Sequence, residues 1–280
     1  MSVRLVLAVA FALATAHLTA DQSSPASSAV LAAAREAIGM RAGGAPLRSI
    51  RTEGTRMTTQ AVITDQRAGV YRSANREHPL ALEIMPPDRY VRTATNGSVR
   101  REGLERGRTI LESRELDPAD SPWEHREPYP SFLEVTRLEF ARLALALFGR
   151  ADVIPGATLR DLGPHRVNVE APNGTRPLVV TLDLDPATGL PARLSWRSRA
   201  RVHPPNAILG KIADSGGGAS RVDPGDLPEI EVAMTFSDHR LVSGFRLPFR
   251  VTTSATGVVL TELRFNTLEA NRPWNDDDRP

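Results

Sequence analysis

The chain has 280 residues, 41% of them hydrophobic and 24% charged, with 35 basic against 33 acidic side chains and no cysteine. That length fits one β-rich domain with a sizeable core. The near balance of charge excludes the basic footprint of a nucleic-acid binder, and the lack of cysteine excludes both a disulfide framework and lipid attachment through a thiol.

The first stretch, MSVRLVLAVAFALATAHLTA, holds one arginine, Arg4, then an apolar run from Leu5 to Ala14, then small residues suited to a peptidase. The run is short for a membrane anchor. It predicts a cleavable secretory signal over 1–20, cut after Ala16 or Ala20, and hence a periplasmic or secreted protein. A Ser/Pro-rich flexible leader follows over 21–28. Ser28 can cap a helix in which Val30, Leu31, Ala34 and Ile38 recur at helical spacing until Gly43-Gly44.

From Leu47 to Val99 the pattern turns to short alternating runs bounded by Gly, Pro, Asn or Asp, as in an antiparallel meander. The proline-rich, charged segment 115–130 reads as a surface loop. In SFLEVTRLEFARLALALFG, Ser131 and Glu134 form a capping-box pattern, Gly149 ends the helix, and Phe132, Val135, Phe140, Leu143, Leu147 and Phe148 give it a broad apolar stripe. Strands resume near His165, with Asn173-Gly174 as a turn signal.

In LDLDPATGLPARLSW, Leu182 and Leu184 point one way. Beyond the Asp185-Pro186 turn and Gly189, Leu190, Ala192, Leu194 and Trp196 share a face opposite Arg193, Ser195 and Arg197. FRLPFRVTT repeats the design after a turn at Val242-Ser243-Gly244, with Phe245, Leu247, Phe249 and Val251 set against Arg246 and Arg250. Between the two hairpins, 204–229 with Gly216-Gly217-Gly218 reads as a loop insertion, and the polar stretch 273–280 as a fraying tail. Two such hairpins predict one large antiparallel sheet, oily inside and polar outside, in a single domain over 29–272. The bias to arginine, with Lys211 the only lysine, reads as genomic composition.

PLRSIRTEG, IMPPDRYVR, LDPATGLPARL, FSDHRLVSGFRLPFRV and RFNTLEAN, after an N-terminal helix ending in Ala-Ile-Gly, together resemble the exported, lipoprotein-sorting-like proteins of the LolA/LolB superfamily. The resemblance implies an α+β, mainly β fold: a curved antiparallel sheet, an incomplete β-barrel, with two or more helices covering its concave face and an apolar cavity between. It implies carriage or sensing of a lipid or lipoprotein acyl chain in the bacterial envelope, in outer-membrane biogenesis. The sequence departs from the sorting carriers where arginines follow Asn96-Gly97 and in the 204–229 insertion.

A half-closed sheet with an apolar inner face would hold an acyl chain, each methylene contributing about 0.8 kcal/mol. The candidate lining residues are Leu182, Leu184, Leu194, Trp196, Val232, Met234, Phe236, Phe245, Leu247 and Phe249, with Phe140 and Leu147 from the covering helix. For any one residue such a stripe is more often ordinary core than ligand lining.

Catalytic signals are absent from the sequence: there is no Gly-x-Ser-x-Gly elbow, no glycine-rich phosphate loop and no His-Glu-x-x-His pair. His78, His125, His165, His203 and His239 are scattered singly. Asp183 and Asp185 are too few oxygens for a cation, 276–278 is a solvated acidic run, and the sequons at Asn96 and Asn173 coincide with Asn-Gly turns. The expectation is a carrier for a lipid or acylated lipoprotein with no catalysis, metal or cofactor and no nucleic-acid partner. The alternative is an envelope sensor or scaffold that binds a protein through the same fold; an envelope hydrolase ranks third. Envelope membrane or protein partners, cargo identity and oligomeric state stay open.

Overall fold

A computed structural model of the chain describes residues 28–41, 43–65, 70–117, 121–128, 131–175, 177–199, 229–255 and 257–273. The expected signal, the leader up to residue 27, the insertion up to residue 228, the tail from 274, and with them His203 and the acidic run 276–278, lie outside these residues.

The first helix, α1 (Ala29–Ile38), forms where the spacing placed it but is closed by Gly39 in a left-handed conformation, not by Gly43-Gly44. The Ser28 hydroxyl accepts the Leu31 N–H at 3.1 Å, and Val30, Leu31, Ala34 and Ile38 are all buried. Thirteen strands follow: β1 (Ile50–Asp65), β2 (Val70–Met85), β3 (Arg89–Asn96), β4 (Ser98–Glu105), β5 (Arg108–Glu115), β6 (Glu124–His125), β7 (Thr158–Gly163), β8 (Arg166–Ala171), β9 (Leu178–Leu184), β10 (Pro191–Arg199), β11 (Glu229–Val242), β12 (Phe245–Ala255) and β13 (Val258–Ala270). The second helix, α2 (Phe132–Phe148), lies between β6 and β7 in the chain. The strands make a single open antiparallel sheet in the order β6-β5-β4-β3-β2-β1-β13-β12-β11-β10-β9-β8-β7. The fold is therefore mainly β, with two helices, as the sequence predicts.

The sheet is strongly curved. Helix α2 contacts β4 on one side and both β9 and β10 on the other. In the strand order β4 and β9 are eight steps apart. Laid flat at about 4.8 Å per step they would be about 38 Å from each other, far beyond the about 10–12 Å width of a helix. The bend is helped at two glycines. A Cβ on Gly54 would run into the Arg264 carbonyl, at a register shift between β1 and β13, and one on Gly103 would run into the Tyr90 carbonyl.

Turn chemistry explains the hairpins. Ser243 and Gly244 both take positive φ (50° and 90°) in the two-residue turn between β11 and β12. Asp185 accepts the N–H groups of Ala187 and Thr188 at 2.9 and 2.8 Å, which fixes the β9–β10 turn. Both turns sit under α1. A Cβ on Gly39 at its C-terminus would lie 2.5 Å from the Gly244 oxygen, and one on Gly189 would lie 3.2 Å from Ala37. The prolines also fit: Pro79 precedes the stretch of β2 that pairs with β3, and Pro248 precedes the stretch of β12 that pairs with β13. Asn271, with φ of 56°, clasps the segment leading into β1; its side chain accepts the Arg48 N–H at 2.6 Å and donates to the Pro46 carbonyl at 2.9 Å.

Several local expectations differ from the fold. The short runs before Met85 fuse into two 16-residue strands, β1 and β2. Strand β7 precedes His165, β6 falls inside the predicted loop 115–130, and Glu229 opens β11 instead of ending the insertion. Asn173-Gly174 belongs to a six-residue connection between Ala171 and Leu178, not to a two-residue turn. Ala192 is skipped by the β9–β10 register shift, so Pro191 and not Ala192 lies opposite Leu184. The capping box does not form either. Ser131 makes no side-chain cap, and Glu134 reaches across to Thr175, accepting its N–H at 3.0 Å and its hydroxyl at 2.9 Å. A long-range anchor to the β8–β9 connection wins over the local cap.

Candidate functional site

Cross-strand register separates the faces. Even-numbered residues of β1 to β4, among them Ile50, Thr52, Leu82, Ile84, Tyr90 and Leu104, face the helices, joined from the far side by Leu182, Leu194, Met234 and Phe236. The convex side instead carries cross-strand ion pairs, including Arg101–Glu112 at 3.0 Å, Arg89–Glu83 at 2.8 Å, Arg166–Asp183 and Arg193–Glu231. There Glu262, buried to 3% exposure, sits between Arg250 and Arg264; burial works to raise its carboxyl, and the two guanidiniums overcome this and hold it below the usual range.

Ten of the twelve predicted lining residues (Leu182, Leu184, Leu194, Met234, Phe236, Phe245, Leu247, Phe249, Phe140 and Leu147) fall in one buried cluster that α1 and α2 help to fill. Val232 is buried as well, and Trp196 packs partly buried against the cluster. The interior under α1 and the C-terminal half of α2 is thus occupied by the chain itself. The N-terminal half of α2 is less deeply seated, with residues 133–135, 137–139 and 142 not fully buried.

Two hollows flank that half. One, of about 930 Å³, runs between Val135, Leu138 and Arg142 of α2 and Val179, Thr181, Ser195, Trp196 and Ser198 of β9 and β10, with Glu229 and Glu231 at its rim. The other, of about 420 Å³, lies between Leu104, Phe140, Ala141, Ile154 and Leu178. Leu138 borders both. Sizes of this order suit an amphiphile. Among the predicted residues, Trp196 borders the first hollow and Phe140 the second.

Beneath the same half of α2 lies a charged cluster that apolar patterning does not reveal. Arg92 donates to Glu139 of α2 at 3.1 Å and to Glu102 at 2.7 Å, and Arg100 pairs with Glu102 at 3.0 Å. The Glu139 charge dominates in holding the Arg92 guanidinium above its ordinary range, against burial. Burial lowers Arg56, and the neighbouring Arg92 adds to the effect. The Tyr90 ring stacks on Phe140 at 5.9 Å. Its buried hydroxyl has no hydrogen-bond partner among the described residues, and burial, reinforced by the Glu139 charge, keeps the phenol neutral far above its usual range.

Arg142 is the partly buried end of this cluster that borders the first hollow. Its guanidinium lies 3.8 Å from the centre of the Trp196 ring, and its buried Nε has no hydrogen-bond partner among the described residues. Burial lowers it to about 10, with Glu139 acting in opposition, so it stays protonated at neutral pH. The sequence signal was present: Arg142 stands alone inside the apolar run FARLALALF.

The remaining candidates disperse. His125 lies on the rim strand β6, paired to Glu112 at 3.2 Å and 81% exposed, and His239 faces Asp185 and Asp238 at the turn end of β11. Asp183 is held by Arg166, and Asp185 by its own turn. Among the described residues no three His, Asp or Glu side chains gather as a metal site would need, and no helix is long and apolar enough to cross a membrane.

Compared by sequence, the chain matches no protein-family model and no curated protein. Among solved structures it is similar to a LolA superfamily protein from Nitrosomonas europaea, with 12% identity, 89% of this chain and 94% of the other covered, and a TM-score of 0.45. The likeness concerns the path of the chain. The chemistry of the site has to be argued from this chain's own side chains.

Proposed function

We propose that the chain is an exported envelope protein that binds a lipid or lipoprotein acyl chain in the hollows along the N-terminal half of α2, as a carrier and without catalysis. The observation that carries the reading is the hollow bordered by Val135, Leu138, Val179 and Trp196, which stays open beside α2 where the β9–β10 pairing ends at Thr181 and Ser195, while the apolar residues of the concave face are covered. An acyl tail laid there would shed water from about a dozen methylenes at about 0.8 kcal/mol each, enough to offset the loss of free motion on association and still let go. Lipids extracted from gently purified protein and weighed by mass spectrometry test this. A stoichiometric acyl species supports it, and a protein that neither retains nor exchanges one is not a carrier. Export is tested by sequencing the N-terminus of the mature protein, expected to start at His17 or Asp21.

The second reading, a sensor or scaffold that binds a protein, is favoured by the filled interior: ten of the predicted lining residues already have partners within the chain. It predicts no co-purifying lipid and a stable complex with an envelope protein.

A further inference from the structure

We propose that the Trp196 hollow selects an amphiphile with an oxyanion headgroup, a carboxylate or a phosphate monoester, and that Arg142 is its counter-ion. The inference rests on the acyl-binding reading and names the chemical class of the ligand.

The geometry of charge carries it. Among the described residues four guanidiniums, Arg56, Arg92, Arg100 and Arg142, meet two carboxylates, Glu102 and Glu139, beneath α2. Both carboxylates are taken: Glu139 accepts from Arg92 with both oxygens, at 3.1 and 3.3 Å, and Glu102 accepts from Arg92 and Arg100. The rim carboxylates Glu229 and Glu231 are likewise held, by Arg197 and Arg193. Arg142 is left with the Trp196 face as its partner among the described residues. A ring face attracts a cation more weakly than charge-assisted hydrogen bonds to an anion do, so a partly buried guanidinium that rests on a ring alone favours an entering anion. A carboxylate or phosphate entering the hollow would accept the unused N–H donors in the forked geometry that arginine offers, while its tail lies along Val135, Leu138 and Val179.

Isothermal titration of the full chain at pH 7 with decanoate, decyl phosphate and decanol tests the idea, with acetate and inorganic phosphate as tail-free controls. The acid and the phosphate should bind at least about tenfold more tightly than the alcohol. Arg142→Gln should erase that preference, and Arg142→Lys should keep part of it, with circular dichroism confirming the fold of each. Equal binding of acid and alcohol to the native chain, or a preference that survives Arg142→Gln, overturns the counter-ion role alone. Failure of all three amphiphiles to bind overturns the acyl-binding reading with it. Inorganic phosphate binding as tightly as decyl phosphate would mark a free-anion site and overturn the amphiphile.

Discussion

The concave face has two halves that differ in how the helices cover it. Under α1 and the C-terminal half of α2, residues 143–148 and the apolar side chains of β8, β9, β11 and β12 interlock, with Leu182, Leu194 and Leu247 at 0% exposure. Under the N-terminal half of α2 the same sheet presents Tyr90, Arg92 and Glu102, and the helix answers with Glu139 and Arg142 in place of leucines. Close packing follows from the first choice of residues; in the second, charged groups that must keep hydrogen bonds cannot interdigitate as densely as alkyl chains, and Arg142 borders an open hollow. Stability and ligand binding should therefore separate along α2.

The separation can be broken first in the filled half. Leu182→Ala should lose about 2–5 kcal/mol in urea unfolding, through lost burial and the cavity left behind, while acyl affinity of the folded fraction stays unchanged. Gly54→Ala attacks the bend itself; its Cβ collides with the Arg264 and Phe265 backbone, and about 1–3 kcal/mol of destabilisation is expected, together with weaker binding because both hollows depend on the curvature. In the open half the sign of the contrast reverses. Trp196→Ala should weaken acyl binding about tenfold and cost less stability than Leu182→Ala, since Trp196 is only partly buried.

Ser28→Ala removes the cap of α1 and should lower stability by about 1 kcal/mol without touching binding. The smallest effect lies at the turn end of β11. Burial holds the His239 imidazole below the ordinary histidine value of about 6.5, against the pull of Asp185 and Asp238 and a hydrogen bond with the Pro191 backbone. The unfolded chain then takes up a proton before the folded one, so stability falls as pH drops through and below about 6.5. His239→Gln should flatten that part of the stability profile measured by thermal unfolding.

Much of the fold was legible in the residues. The helix over Ala29–Ile38 and its buried positions followed from a serine cap and a 3.6-residue period, and the alternation FRLPFRV gave the buried face of β12 directly. Strand β5 escaped notice because polar residues flank its Ile110-Leu111 pair, β6 because it has only two residues, and β7 because Arg160 and Asp161 interrupt its two leucines; cross-strand ion pairs such as Arg101–Glu112, which substitute for an oily stripe, join residues distant in the chain. The same holds for Glu134. Its position three after Ser131 satisfied a local rule, and a turn forty residues away claimed the side chain instead.

The site was legible only in its apolar half. Trp196 and Phe140, which border the two hollows, stood out in the sequence because hydrophobic periodicity marks any residue that leaves water, whether for core or for ligand. Periodicity cannot tell which of these meet another side chain and which border a hollow. The sequence by itself determined most local elements, the two faces of the large sheet and the absence of any cysteine for a disulfide, because those depend on neighbours along the chain and on composition. Only the tertiary structure decided that β4 and β9 close around one helix, that ten of the twelve candidate residues are filled from within, and that Arg142 is left without a carboxylate, because each of these is a matter of which distant groups already have partners.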